Sequence, residues 1–293
     1  MKRRGFLAAA LAALAAPHAP AATAGRFDKG VLWRITGRDV APSHVYGTIH
    51  VFDPRVAELP APVRRTFEAA ASLTLEYIPD AYGSERFLEA AMFLDRSTLE
   101  ETIGAADFER VLEHLKPIGL TREFINKLKP WGVLLNLRNP RGPQGASLDA
   151  QLFGMARARR MPLHMMESVE EQVFTFDEFP MESQVALLRH SLEHYAELVR
   201  MSERTVEAYL RRDLAAIWRI QEAHIRRFPQ IARHNAVFVK RVLHDRSVVM
   251  AFRMQRQLRH GNGFVALGAL HLYGDKGVLG LLQGDGYRAS RVF

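Results

Sequence analysis

The feature that most constrains this chain is a repeated context. Residues 44–54 read HVYGTIHVFDP and residues 265–275 read VALGALHLYGD. In both, an apolar run leads into Gly-x-x-His, then an aliphatic residue, an aromatic one and a turn with Asp. Each copy is followed by a helical pattern and a further strand pattern, near Leu73–Ile78 in the first and Tyr287–Phe293 in the second. Strand–helix–strand units favour parallel pairing in a layered core. The expected fold class is therefore α/β, of mixed α+β character. Its central mixed sheet is flanked by helices and built from two strand–GxxH–helix–strand units around a helical insert at about residues 85–255.

The remaining patterning fills in this frame. Val31–Thr36 and His44–Ile49 alternate apolar and polar residues about Gly37-Arg38-Asp39, which predicts a hairpin. A helix is expected over Val63–Ala71 and a buried strand over Leu163–Met166. Long amphipathic helices are expected over Glu182–Leu210, Leu214–Arg226 and Ile231 to about Arg253. The turn Gly261-Asn262-Gly263 precedes an apolar strand, Phe264–Leu270, and a short helix over Val278–Leu282. No Gly/Ser linker or low-complexity tract divides residues 25–293, so one domain is expected there.

Residues 1–24 stand apart. Lys2, Arg3 and Arg4 form a basic region, Phe6–Ala16 an apolar one, and Ala22-Thr23-Ala24 a cleavage site. That is the pattern of a signal peptide, too short to span a bilayer. Arg3-Arg4-Gly5-Phe6-Leu7 also resembles the core of a twin-arginine export signal. Cleavage would turn the net +8 of the whole chain into +5, with 37 basic residues against 32 acidic ones. A charge of that size says little about partners. The expected location is periplasmic or secreted, with no nucleic acid as partner. The absence of Cys excludes disulfides, thiol nucleophiles and thioester lipid anchors, and no stable membrane anchor is expected.

The chemistry is expected at the two motifs. Gly47 and Gly268 permit close backbone approach at a strand end. His50 and His271 follow at the carboxyl edge of their strands, where ligands bind in open α/β sheets. Glu76 sits inside the apolar stretch Leu73–Ile78, where an unpaired carboxylate is costly to bury. If it faces the same edge, two imidazoles and a carboxylate make a ligand set for a divalent ion (Mn, Co or Zn). Glu76 is then either the third ligand or the base that activates water.

These elements together resemble the TraB/GumN family. The resemblance rests on Gly47-Thr48-Ile49-His50, Leu75-Glu76 and the tail FVALGALHLYGDKGVLGLLQGDGY at 264–287. It extends to Lys129-Pro130-Trp131, to Leu148-Asp149 with Leu152, and to Met165-Met166-Glu167-Ser168 with Gln172. Asn235 resembles the Asn of an Arg-Asn element. Here His234 takes the Arg place and Arg233 lies one residue upstream. The family is similar to the TIKI metalloproteases of animals, and its fold resembles erythromycin esterases and the haem-binding ChaN proteins. The resemblance implies metal-dependent hydrolysis of a peptide or small ester-like substrate by His50, Glu76 and His271. Glu167, Arg233 and Asn235 would bind or orient the ligand. The alternative is a non-catalytic protein holding a small ligand, metal or haem in the same cleft.

Other motifs point to structure. His190 and His194 have helical i, i+4 spacing, but the Glu of a zincin motif is misplaced, and a solvated face is expected. Arg211, Arg212, Arg219, Arg226, Arg227 and Arg233 could meet an anionic polymer or a lipopolysaccharide surface, but a solvated face interspersed with Glu is the expected reading. Gly274, Gly277 and Gly280 lack the spacing of a phosphate cradle. Met161, Met165, Met166 and Met181 are expected as core filler.

Overall fold

The computed structural model describes residues 25–293 except 26, 52, 79 and 138–146; the signal-peptide segment lies outside the described residues. Among the described residues six strands form one sheet: β1 (Leu32–Thr36), β2 (Ser43–Thr48), β3 (Ser72–Leu75), β4 (Leu163–Met165), β5 (Gly263–Gly268) and β6 (Arg288–Arg291). Their spatial order is β4-β3-β5-β2-β1-β6. β1 pairs antiparallel with β2 and with β6, whereas β2–β5, β5–β3 and β3–β4 are parallel. The sheet is thus mixed and flanked by helices, with β1 alone running against the rest. The two units do run parallel, but neither closes on itself. β5 inserts between β2 and β3, and β2 with β1 separates β5 from β6.

That interleaving explains the apolar runs. Every residue of β5 but Gly268 is buried, as a strand covered on both faces requires. Phe264 of β5 meets Phe67 of the helix Ala61–Ala69 edge to face, with ring centroids 5.5 Å apart. β6, at the sheet edge, reads Arg-Ala-Ser-Arg and is largely exposed.

The insert departs from its expected shape in three places. The stretch Glu182–Leu210 is two helices, Met181–Glu193 and Tyr195–Leu210, broken at His194. The last long helix is interrupted by a π-helical stretch, Lys240–Asp245, before Arg246–His260. The insert also builds its own core around Phe108, Trp131 and Leu188, separate from the core beneath the sheet.

Of the four methionines expected in the core, Met161 and Met166 are buried, while Met165 and Met181 are exposed. His190 is not on a solvated face. It is buried, and its Nε2 lies 2.8 Å from that of His224, whose Nδ1 faces Glu197 Oε1 at 3.0 Å. Among the described residues no helix is long and apolar enough to cross a membrane.

Phe264 and Phe67 are both fully buried. Phe264→Ala should therefore destabilise the chain by about 3–5 kcal/mol, read as a lower urea midpoint with unchanged slope.

Candidate active site

The carboxyl ends of β2, β5 and β3 lie side by side and build one cleft floor. β3 stops at Leu75 because the next carbonyl leaves the ladder. Glu76 O accepts from Met166 N–H (3.2 Å) and Glu167 N–H (2.8 Å). Glu76 is therefore the first residue past the strand, not its middle, and its side chain turns inward, 4% exposed.

Buried there, its carboxylate is fully engaged. Oε1 accepts from Gly268 N–H at 2.6 Å, and Oε2 accepts from Arg246 Nη2 at 2.5 Å. Arg246 also donates through Nε and Nη2 to Glu167, at 2.9 and 2.7 Å to Oε2. One guanidinium thus bridges two buried carboxylates. Burial pushes the pKa of Glu76 up, but Arg246, the two imidazoles and the Gly268 N–H outweigh it and bring it to about 2. Glu167 is raised instead, with burial the largest influence and Arg246 working against it.

The two histidines are held differently. His271, buried on the turn after β5, places Nδ1 2.8 Å from Ser247 Oγ. The hydroxyl proton of Ser247 goes to Leu243 O at 2.7 Å, so Ser247 accepts from His271 Nδ1–H. The ring then presents a bare Nε2, 3.9 Å from Glu76 Oε1. Burial is the main influence on His271 and lowers its pKa to about 4, so the ring is neutral at pH 7.

His50 instead faces a carboxylate. Its Nδ1 lies 3.2 Å from Asp149 Oδ2, which has no hydrogen-bond partner of its own among the described residues. Thr48 Oγ1 donates to the other oxygen, Oδ1, at 3.0 Å and fixes the group. Desolvation on the crowded floor works to lower the His50 pKa. The charge of Asp149, with Glu76 beyond it, prevails and raises it to about 9. The ring still keeps 58% of its side chain open to the cleft.

Both glycines are needed for close approach. A Cβ on Gly47 would lie 2.8 Å from Leu272 Cδ1 and 2.9 Å from Ala269 Cα. Beneath it, Gly47 O accepts from Tyr209 OH at 2.8 Å, and Tyr46 OH lies 2.9 Å from that hydroxyl. A Cβ on Gly268 would stand 3.3 Å from Glu76 Oε1, 3.4 Å from His271 Cδ2 and 3.6 Å from His50 Nε2. The three side chains thus close around one small space above Gly268.

Of the residues singled out in the sequence, His50, Glu76, His271, Gly47, Gly268 and Glu167 come together here. Arg233 does not: it is exposed and paired with Glu182 at 2.5 Å. Asn235, on the same helix, shares no described hydrogen bond or ion pair with the site. The arginine that reaches the floor is Arg246, followed by Ser247. Those two and Asp149 are absent from the sequence-derived site set: Arg246 and Ser247 come from a helix of the insert with no motif of its own, and Asp149, although part of the family-like Leu148-Asp149 stretch, reads as a helix start.

The donor set does not fit a three-ligand ion. Both oxygens of Glu76 are taken and a guanidinium stands against them. Among the described residues no three His, Asp or Glu side chains are placed to hold a metal.

Two outcomes follow. A carboxylate with a depressed pKa gives stability that is complete above its ordinary value of 4.5 and is lost as pH falls toward about 2. Thermal melts should show this acid limb in the parent chain and flatten it in Glu76→Gln. Separately, ¹⁵N shifts of the imidazoles should report His271 as the Nδ1–H tautomer, and Ser247→Ala should mix the tautomers without unfolding the chain.

No curated protein and no solved structure shows a significant match. The sequence model of the TraB/PrgY/gumN family matches residues 31–291, from the strand before the first GxxH to the last strand of the sheet. With that span covered, the chain belongs to the TraB/PrgY/gumN family.

Proposed function

We propose that the chain is an exported hydrolase that cleaves a peptide or small ester-like bond by acid–base catalysis between His271 and His50. One observation carries the reading: two imidazoles converge above Gly268 with unlike partners behind them, a hydroxyl for His271 and a carboxylate for His50. Unlike environments push the two pKa values apart, which assigns the base and the acid.

In this reading the bare Nε2 of His271 takes a proton from water, whose oxygen attacks the carbonyl carbon. Collapse of the tetrahedral adduct breaks the bond to the leaving group, and His50 Nε2–H protonates that group as it departs. The proton gained by His271 then returns His50 to its starting form through water. Glu76, neighbour to both rings, steadies the positive charge that His271 acquires. The Gly268 N–H does not serve as an oxyanion donor, since Glu76 already occupies it. Export is supported by the basic-then-apolar opening of the chain.

The test is turnover of chromogenic esters and short peptides by residues 25–293 after chelation, with and without Mn, Co or Zn. Hydrolysis that persists in the chelated protein is expected. His50→Ala and His271→Ala should each lose about 10²- to 10⁴-fold. A strict need for a stoichiometric ion would replace this mechanism with the metal-dependent one. Ligand or haem binding with no turnover would make the cleft a binding site only.

A further inference from the structure

The basic residues of the insert fall into two groups. Arg219 faces Asp213 at 3.7 Å, Arg226 faces Glu222 at 3.5 Å, Arg227 faces Glu197 at 2.8 Å and Arg233 faces Glu182 at 2.5 Å. These four meet the expectation of a solvated face interspersed with acids. Among the described residues, Arg211 and Arg212 have no such carboxylate, and both stand at the turn that ends the helix Tyr195–Leu210.

That turn is built with care. Arg212 adopts φ 59°, a conformation uncommon outside glycine, which stops the helix there. Gly30 N–H donates to Arg212 O at 2.8 Å, and Ala215 N–H donates to Asp28 O at 3.0 Å. The turn is thereby stapled to the segment before β1, which brings up Lys29. Because β6 runs alongside β1, Arg291 at its end arrives as well. Lys29, Arg211, Arg212 and Arg291 line a cavity of about 330 Å³. The ring of Phe293 lies beneath Arg212, 4.1 Å from its guanidinium carbon. Four cations from three distant parts of the chain thus meet two carboxylates: Asp213, which is 3.9 Å from Lys29 and shared with Arg219, and that of Phe293, which accepts from the N–H groups of Val31 and Leu32.

We propose that this cavity binds a phosphate-bearing group. Like charges held together at a concave surface raise the local concentration of anions. Guanidinium forks match the oxygens of a phosphate, and two carboxylates, one of them shared with Arg219, leave part of the charge uncompensated. The cavity lies at the same edge of the sheet as the GxxH cleft. Tyr209, two residues before Arg211, donates to Gly47 O. The site stands whether or not the cleft is hydrolytic.

The test is calorimetric titration of residues 25–293, without a carboxyl-terminal tag, with inorganic pyrophosphate in about 0.15 M salt. A parallel arm measures co-sedimentation with vesicles of phosphatidylcholine, with and without phosphatidylglycerol. Saturable one-to-one binding of pyrophosphate is expected. The double variant Arg211→Gln/Arg291→Gln should weaken it by about tenfold or more, as loss of charge-assisted pairs requires. Arg226→Gln/Arg233→Gln removes the same charge from paired positions and should leave it within about twofold. Vesicle binding lost in the first double variant alone identifies a lipid headgroup as the source. Pyrophosphate binding without vesicle binding identifies a soluble phosphate. Absence of saturable binding in both arms, or equal loss in both double variants, overturns the proposal.

Discussion

The bridge from Arg246 to Glu76 and Glu167 is the interaction on which the rest of the site depends. A guanidinium and two carboxylates have left water together, and such a group is tolerated only if every charge finds a partner. Here each does. Glu76 spends one oxygen on Arg246 and the other on Gly268 N–H, and Arg246 reaches Glu167 through two nitrogens. The bridge therefore fastens the end of β3, the segment after β4, the helix Arg246–His260 and the end of β5 to one point. Removing one member would leave an uncompensated charge, at about 3–5 kcal/mol for a buried pair. Ser247 follows Arg246 directly, so the same anchor fixes the residue that orients His271.

The insert is accordingly part of the site. The two GxxH units supply the glycines, the histidines and Glu76. The groups that turn those histidines into unlike reagents come from the insert: Asp149, Glu167, Arg246 and Ser247. Tyr209, also from the insert, props the Gly47 carbonyl from below. A sheet carrying only the two motifs would bring two imidazoles to one edge without deciding which of them holds a proton.

This division explains what was legible in the sequence. Strand patterning and the repeated motif disclosed the sheet, the shared edge and the convergence of His50, Glu76 and His271. All of that information is local, written in periods of two residues and in glycine positions. The order of strands was not local. β5 arrives after some 190 residues and slots between the members of the first unit, which no pattern in either strand announces. The orienting residues were equally hidden. Arg233 and Arg246 are both arginines on helical segments, but the π-helical stretch Lys240–Asp245 between them changes the helical phase. A regular 3.6-residue winding read through that stretch assigns faces wrongly on its far side. Asp149 gave two usable signals: its place in the family-like Leu148-Asp149 stretch, and its position two residues after Ser147, which caps the helix. It reads first as a helix-start feature, and only the approach of Thr48 and His50 shows its other use.

The repeat also misleads in an instructive way, because equal motifs imply equal roles. β2 and β5 pair with Thr48 opposite Gly268 and Gly47 opposite Leu267, so the two motifs are staggered by one residue. Past that stagger the backbones diverge. After Gly268 the chain winds into a 3₁₀ turn, Ala269–Leu272, which draws His271 into the protein. After Thr48 the chain continues without regular structure and leaves His50 half open to the cleft. Thr48 bears a hydroxyl where the second motif has Gly268, and that hydroxyl secures Asp149 beside His50. Gly268, having no side chain, leaves its N–H and the space above it to Glu76. One residue of stagger thus separates a buried neutral imidazole from an exposed one held against a carboxylate. The chemical asymmetry of the cleft follows from the register of two strands.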